Sequence, residues 1–437
     1  MKVSEEVSLM SEKYSTMYSI LMTLVLNRDK YIKIDPSDIV SVSFINEYDT
    51  KTFPIIRIRL YTDISVIQDM IEFPDSIYIR ANITGNIYKM DDENEDRSPV
   101  PVAPVKPISF ELKGYIENKN APSSVMDQYE LGLPRSNDLN HNVKSPIEIY
   151  CYDEYTIHQM QQKTQSIYKN MSLFSVISDI FNRNNIKPMV HMDTFNNQMK
   201  YDQILIPNLN ISDTISFFDL KYGLYYKGGQ MFCDHNGLWL CNTDVNANDY
   251  GTLPIYVRSA KSNDNTTGVI RINPNEQKYC MVVNAPNVSV KTETDIERVL
   301  NSPEVGAIDL NSIDVSIEEI KQLYTESMER STARKTSGGI NIFPINTPQI
   351  LHKNNNDYVL RSYIARVNER ITQIDISGNG FDIGQMYIAS RYNIIFESPI
   401  RGLDINKRYR ASYTCHVLSN INGDLFEPTT TMTLCTN

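Results

Sequence analysis

The sequence predicts a mainly β protein of the α+β kind: two β-barrel domains, a small α+β middle domain and a partly helical insertion. Three observations lead there. Tyr, Asn and Ile are abundant while Gly is sparse, which favours strands joined by polar turns over a doubly wound α/β protein. Short apolar runs with strand alternation recur toward both ends of the chain. Between them, over 208–241, a helical period gives way to a strand period within a few residues. At 437 residues the chain exceeds one ordinary core, and typical domain sizes of roughly 100–200 residues suggest two to four domains.

Residues 1–16 lack periodicity and are expected to form an N-terminal arm. The first β-barrel domain is assigned to 17–152. Its strand 39–44 is nearly all apolar, and 54–61 alternates, with Ile56, Ile58 and Leu60 on one face and Arg57 and Arg59 on the other. Ile64, Ile67 and Met70-Ile71 are spaced for one helix, after which Ile77, Ile79, Ala81 and Ile83 alternate again. The acidic run Asp91-Asp92-Glu93-Asn94-Glu95-Asp96 and Pro99, Pro101, Pro104 and Pro107 read as a solvated, mobile acidic and proline-rich loop over 91–107. Strand 108–116, with Phe110 and Leu112 in phase, returns to the same sheet; 121–142 is polar and turn-rich, and 147–152 closes the unit.

The α+β middle domain is assigned to 153–250. Leu173, Val176, Ile177, Ile180 and Phe181 mark one face of a helix capped by Ser172 and stopped by 182–185. Ser212 is expected to cap a second helix carrying Ile215, Phe218 and Tyr222, which Gly223 ends by taking a left-handed conformation. Leu224-Tyr225-Tyr226, Gln230-Met231-Phe232-Cys233 and Leu238-Trp239-Leu240-Cys241 then read as a three-stranded meander. The second β-barrel domain is assigned to 251–290 and 357–437, with strands at 255–257, 269–272, 279–283, 358–367, 371–376, 386–390, 409–418 and 429–434. The insertion between its halves, 291–356, is helical where Ile313, Ile317, Ile320 and Leu323 recur and mobile over 336–356.

Catalytic, cofactor and metal residues are all assigned as none, and no cofactor is expected. No phosphate loop ending in Lys-Ser/Thr, no His-Glu-x-x-His and no Gly-x-Ser-x-Gly is present. Gly378, Gly380 and Gly384 imitate a dinucleotide loop, but the third glycine is one residue late and a strand pattern follows, so they read as turn glycines. Six dispersed cysteines without a CxxC pair read as reduced thiols, and Cys233, His235 and Cys241 lack a fourth partner at zinc spacing. His158, His191 and His416 read as structural, and Cys415 and His416, adjacent on a strand, face opposite ways. A net charge of −11 argues against a general nucleic-acid binder. The apolar run 18–26 is too short to span a bilayer, and Glu5 and Glu6 carry the wrong charge for a signal peptide, so the isolated protein is expected to stay off membranes.

The stretch Ile204-Leu205-Ile206-Pro207, Ser212-Asp213-Thr214-Ile215, Phe217-Phe218-Asp219-Leu220 and Tyr222-Gly223-Leu224-Tyr225 resembles the middle of baseplate hub proteins of contractile-tailed bacteriophages and related contractile injection systems. A second likeness lies in Ile374-Asp375-Ile376-Ser377-Gly378, Ile383 to Ile388, and the Tyr409 to Val417 strand with His416. The resemblance implies two tube-protein-like barrels and a smaller α+β domain, three copies forming a ring of six similar barrels. It implies a structural hub: a homotrimer adapting the hexameric tail tube to a trimeric central spike, in contact with other baseplate proteins and passing DNA without specific binding. Its place would be the virion tail baseplate, after assembly in the host cytoplasm. Strands 56–60 and 371–376 are then expected to join neighbours edge to edge, around an acidic channel.

Two other classes stand beside this reading. One is a tail-associated peptidoglycan hydrolase or peptidase, the other a receptor-binding β protein; the hub of a non-phage injection system is a variant of the first reading. The chain ends just after a strand, which leaves no expected room for an appended lytic domain. No hydrolase activity is therefore predicted: zymography of the purified chain on peptidoglycan should give no clearing, and a band abolished by one Asp or Glu substitution would contradict the structural reading.

Overall fold

A long strand, β1 (Lys13–Leu26), is the spine of the molecule. Its even-numbered positions, from Tyr14 through Thr16, Tyr18 and Ile20 to Leu26, are all buried, as alternation requires. Ser15 and Met17 on the opposite face are buried as well, whereas Ser19 and Leu21 are exposed. The first part of β1 thus lies between two layers, and around Ser19 and Leu21 one of its faces meets solvent. The computed structural model describes residues 13–48, 53–90, 100–116, 144–186, 190–225, 229–234, 237–242, 252–258, 268–273, 276–284, 288–292, 372–384, 391–396 and 408–436.

The first part contributes β2 (Lys30–Ile34), β3 (Ile39–Glu47), β4 (Ile55–Asp63), helix α1 (Ile64–Glu72), β5 (Ile77–Met90), β6 (Val100–Pro104), β7 (Ile108–Ile116) and β8 (Lys144–Tyr152). The middle part contributes α2 (Glu154–Met160), β9 (Lys163–Ser172), α3 (Leu173–Arg183), β10 (Val190–Met192), β11 (Lys200–Asn210), α4 (Ile211–Tyr222), β12 (Gly229–Asp234) and β13 (Gly237–Asn242). The last part contributes β14 (Thr252–Arg258), β15 (Gly268–Asn273), β16 (Glu276–Asn284), β17 (Val288–Thr292), β18 (Thr372–Asn379), β19 (Arg391–Phe396), β20 (Arg408–Asn420) and β21 (Phe426–Thr436).

Strand pairing closes two rings. In the first, β1 pairs with β5, then β7, β8, β4, β3, β20 and β21 follow, and β21 returns to β1 at Tyr18 opposite Phe426. In the second, β1 meets β15 at Tyr14 opposite Val269, followed by β16, β14, β19 and again β20. Both rings therefore share β1, β20 and β21. β20 splits one edge between them: 413–419 pairs with β3, while Arg408 and Tyr409 pair with β19. The division drawn between 17–152 and the C-terminal strands is crossed by this hydrogen bonding, because β20 and β21 complete the first ring as well as the second. Inside the first ring, Val42 faces Ile58 and Leu418, and Ile58 faces Ile149, all three rows lined with buried aliphatic side chains.

The middle part forms its own core from Leu173, Val176, Ile177, Ile180 and Phe181 of α3, Ile215, Phe218 and Tyr222 of α4, and Tyr168, Ile204 and Ile206 of the β9–β11 ribbon. Ser172 caps α3 by accepting from Ser175 N–H, as the sequence indicates. α4 begins earlier than expected: its cap is Asn210, whose Oδ1 accepts from Asp213 N–H at 2.7 Å, and Ser212 lies within the first turn. Gly223 ends that helix at φ +66°, the left-handed conformation that its lack of a Cβ permits.

Several elements differ from the sequence reading. β1 starts at Lys13, so residues 13–16 belong to the sheet and not to an arm. Val100–Pro104, read as part of a loop, pairs with β5, because Pro101 and Pro104 sit on an edge strand where a missing N–H costs no ladder bond. Leu224 and Tyr225 are not a strand; the third strand beside β12 and β13 is β10, paired in parallel with β13. β17 runs to Thr292, so residues 291 and 292, assigned to the insertion, pair with β18 instead. The insertion 293–356, the strands expected at 358–367 and 386–390, the polar segment 121–142 and the acidic run 91–96 lie outside the described residues.

Candidate assembly surface

The glycines that imitate a dinucleotide loop are engaged in packing. The segment after β18 folds onto β1: Gly380 N–H donates to Pro428 O at 2.8 Å and Thr16 N–H donates to Gly380 O at 2.9 Å, so residue 380 bridges β21 and β1. Tyr18 Oη donates to Asp382 Oδ1 at 3.1 Å, and Ile383 N–H donates to Tyr18 Oη at 2.9 Å. Burial, and then the charge of Asp382, push the Tyr18 phenol well above its ordinary range. A Cβ on Gly378 would meet the Phe381 ring at 2.5 Å, so the glycine is needed for the close approach of that ring. This loop is a latch across β1 and β21, the strands that both rings share.

Cys233 and Cys241 lie on opposite faces of the β12–β13 hairpin, the first in the middle core and the second in the sheet core, which separates them as metal ligands. Among the described residues no three His, Cys, Asp or Glu side chains gather as a metal site. His416 points into the first ring, buried, with Nδ1 2.9 Å from Thr430 Oγ1, while Cys415 is on the outward side. His191 stacks on Trp239 with ring centroids 3.9 Å apart.

The outward faces of the described strands carry ordered charge pairs. On the outward face of β4 and β8, Arg59 Nε donates to Glu148 Oε2 at 2.8 Å, and Tyr150 Oη donates to Glu148 Oε1 at 2.7 Å. Burial alone would raise Glu148, but the Tyr150 and Arg59 hydrogen bonds and the charges of Arg59 and Arg57 outweigh it and hold the carboxyl below its ordinary range. Lys113 Nζ lies 2.5 Å from Glu154 Oε1, tying β7 to α2, and Lys144 Nζ lies 2.5 Å from Asp38 Oδ2. Surface pairs of this kind contribute about 0–1 kcal/mol each, so they set the local pattern of charge more than stability.

Glu427 on β21 is opposite in behaviour: half-buried across from Ser419, it is raised by loss of solvation. A raised carboxyl favours the fold while protonated, and that contribution is lost as pH rises through its folded pKa. Glu427→Gln should match the parent in stability below about pH 4, where the unfolded carboxyl is protonated, and exceed it at neutral pH. Thermal unfolding across pH checks this; an equal gain at every pH would show that the effect is packing and not ionisation.

The edges of the sheet correct the expected mode of assembly. β4, which holds residues 56–60, is paired on both sides, with β3 and β8. β18 is likewise flanked by β17 and β21. Neither strand has an edge left for a neighbour. The strands with one unpaired edge among the described residues include β2, β6 and β17, together with both strands of the β9–β11 ribbon. β2 carries Lys30 and Lys33 and β6 carries prolines, features that block edge pairing. The sequence reading missed the exposed apolar side chains, because the period that marks a buried face does not report which residues remain outside it.

Comparison with known proteins gives a family and a set of similar structures. The family described as Bacteriophage PBS1 gene 109 protein matches residues 6–420. No curated protein matches the chain. In structure the chain is similar to the tail protein from Neisseria meningitidis MC58, at 10% identity over 96% of this chain and 97% of that one, with a TM-score of 0.46. It is also similar to the 43 kDa tail protein of prophage MuSo2 from Shewanella oneidensis, at 9% identity over 95% and 96% of the two chains, with a TM-score of 0.43. For the prophage tail protein gp18 from Listeria monocytogenes EGD-e the values are 10% identity, 97% and 94% coverage and a TM-score of 0.40.

Proposed function

We propose that this chain, which belongs to the Bacteriophage PBS1 gene 109 protein family, is a structural hub of a phage tail baseplate, a trimeric adaptor between the hexameric tail tube and a trimeric spike. The observation that carries the reading is the pair of strand rings sharing β1, β20 and β21. One chain that presents two rings side by side supplies six ring-like faces when repeated three times, which matches a six-fold tube on one side and a three-fold spike on the other. The order β11, α4, Gly223 and the β12–β13 hairpin, on which the sequence resemblance rests, supports the same reading.

In this role the protein is not an enzyme. Its partners are two further copies, the tube protein, the spike protein and other baseplate components, and DNA passes without specific binding. A net charge of −11 per chain favours an acidic channel that repels phosphate. The protein belongs to the virion after assembly in the host cytoplasm. The extents of its domains follow the same proposal, with the bounds that the strands require: a first barrel over 13–152 completed by β20 and β21, the α+β part over 153–250, and a second barrel over 251–292 and 357–437 interrupted by an insertion. A structure of the assembled particle tests it: three-fold symmetry at this chain and an acidic bore are expected, and any other symmetry, or a strongly basic bore, removes the hub reading.

A further inference from the structure

A three-fold ring is built from heterologous contacts, so each chain must carry two different patches that fit one another. Two patches on this chain have that relation. At the end of α1, Val66, Ile67 and Met70 are buried, but Ile71 and Phe73 are 46% and 39% exposed. Glu72 and Asp75, interleaved with them, are exposed too. The segment 71–75 is therefore an apolar pair set among acidic side chains, on the turn where the chain leaves the helix.

The second patch is the outward face of the β9–β11 ribbon. Ile167 and Leu205 stand directly opposite each other in register and are 60% and 53% exposed. Lys163 and Lys169 on β9 and Lys200 on β11 are exposed around them. The inward face of this ribbon is filled by α3 and α4, so its outward apolar pair has no part in the core. Asp202 on β11 is exposed as well, so the ribbon carries three lysines against one carboxylate, a local excess of positive charge in a chain of net charge −11. Cross-strand neighbours of this kind have their Cβ atoms about 5 Å apart, a spacing at which two apolar side chains present one continuous surface.

We propose that the acidic turn 71–75 of one copy docks on the cationic ribbon of a second copy, with Ile71 and Phe73 seated against Ile167 and Leu205. The proposal rests on the trimeric reading and supplies its contact. Charge complementarity selects the partner, and the two apolar pairs exclude nucleic acid as the better occupant, because a phosphate backbone offers nothing to Ile167 or Leu205. The lysines at the rim set the encounter rate and its salt dependence, and the apolar pairs set the lifetime.

The test uses the full chain and measures self-association by sedimentation over a range of concentration and salt. Lys163→Glu with Lys169→Glu is expected to weaken association at least about tenfold, as is Glu72→Lys with Asp75→Lys, and the chain carrying all four changes should recover most of it. Ile167→Ser with Leu205→Ser should weaken it similarly while leaving the melting temperature unchanged, since both side chains are outside the core. A photo-crosslinking residue at position 167 should label the 71–75 segment of another copy. Association indifferent to the charge reversals overturns the docking and leaves the three-fold reading standing, to be judged on the assembled particle. So does a crosslink to any other segment, to another protein or to nucleic acid, and so does a chain that stays monomeric to its solubility limit.

Discussion

Replacing Trp239 by alanine should cost about 3–5 kcal/mol, the range for removing a buried large aromatic, and should split a single unfolding transition into two. Trp239 is 5% exposed and stands where the two cores meet. Along β13, Leu238 and Leu240 face the middle core, whereas Trp239 and Cys241 face the sheet core, which is why all six residues of the strand are buried. The contact continues outward as a chain of rings: His191 stacked at 3.9 Å, Phe232 stacked at 6.3 Å, and Tyr48 edge-on to Phe232 at 5.4 Å. Tyr48 follows β3 in the first ring, so the indole is the centre of the apolar link between the middle part and the barrel. Denaturant unfolding followed by far-ultraviolet circular dichroism measures the loss. Because the chain has one tryptophan, its fluorescence in the parent reports this junction alone. A loss under about 1 kcal/mol, or one cooperative transition in the variant, would show that the two cores are coupled elsewhere.

The legible parts of the fold were those in which one face is buried over several residues. α3 shows all five apolar positions on one buried stripe, and β4 and β5 place their isoleucines inward as their alternation indicates. β9 was illegible because it packs through only two side chains, Thr164 and Tyr168, over most of its length. The cap of α4 was placed at Ser212 because Ser-Asp is a common opening, yet Asn210 has the extended backbone and makes the bond, so side-chain chemistry alone did not fix the boundary. Ring closure was beyond the sequence for a different reason. The pairing of β3 with β20 joins residues more than 350 positions apart, and no local period records which distant strand supplies a partner. Nor does a local period show that β3 and β8 cover both edges of β4, and β17 and β21 both edges of β18, the strands on which side-by-side assembly had been placed. The exposed side chains Ile71, Phe73, Ile167 and Leu205 were not legible, because apolar periodicity marks a buried face and is silent on what lies outside it.

The latch at Gly380 should be the least tolerant backbone position along the described seam between β1 and β21. Its φ of +73° lies in the left-handed region, where a side chain costs about 1–2 kcal/mol before any contact is counted. A Cβ there would also lie 2.5 Å from Ser15 Oγ and 3.4 Å from Ser15 Cα, and the second of these is backbone that cannot turn aside. Relief would require β1 to move away from residue 380, breaking the bonds from Thr16 N–H to Gly380 O and from Gly380 N–H to Pro428 O that tie the shared strands together. Gly380→Ala should therefore cost about 3 kcal/mol or more, and Gly380→Val should prevent recovery of folded protein, since strain and broken ring closure add. Gly384, two residues beyond Asp382, is the internal control. It has no positive φ, and a Cβ added there would meet Asp382 Oδ1 at 3.2 Å and Lys106 O at 3.4 Å, which leaves a methyl group only tight contact. Gly384→Ala should stay within about 1 kcal/mol of the parent. Thermal unfolding of the pair decides the matter: if both variants melt together, the latch does not close the rings, and the stability of the shared seam must come from the strand ladders of β20 and β21 alone.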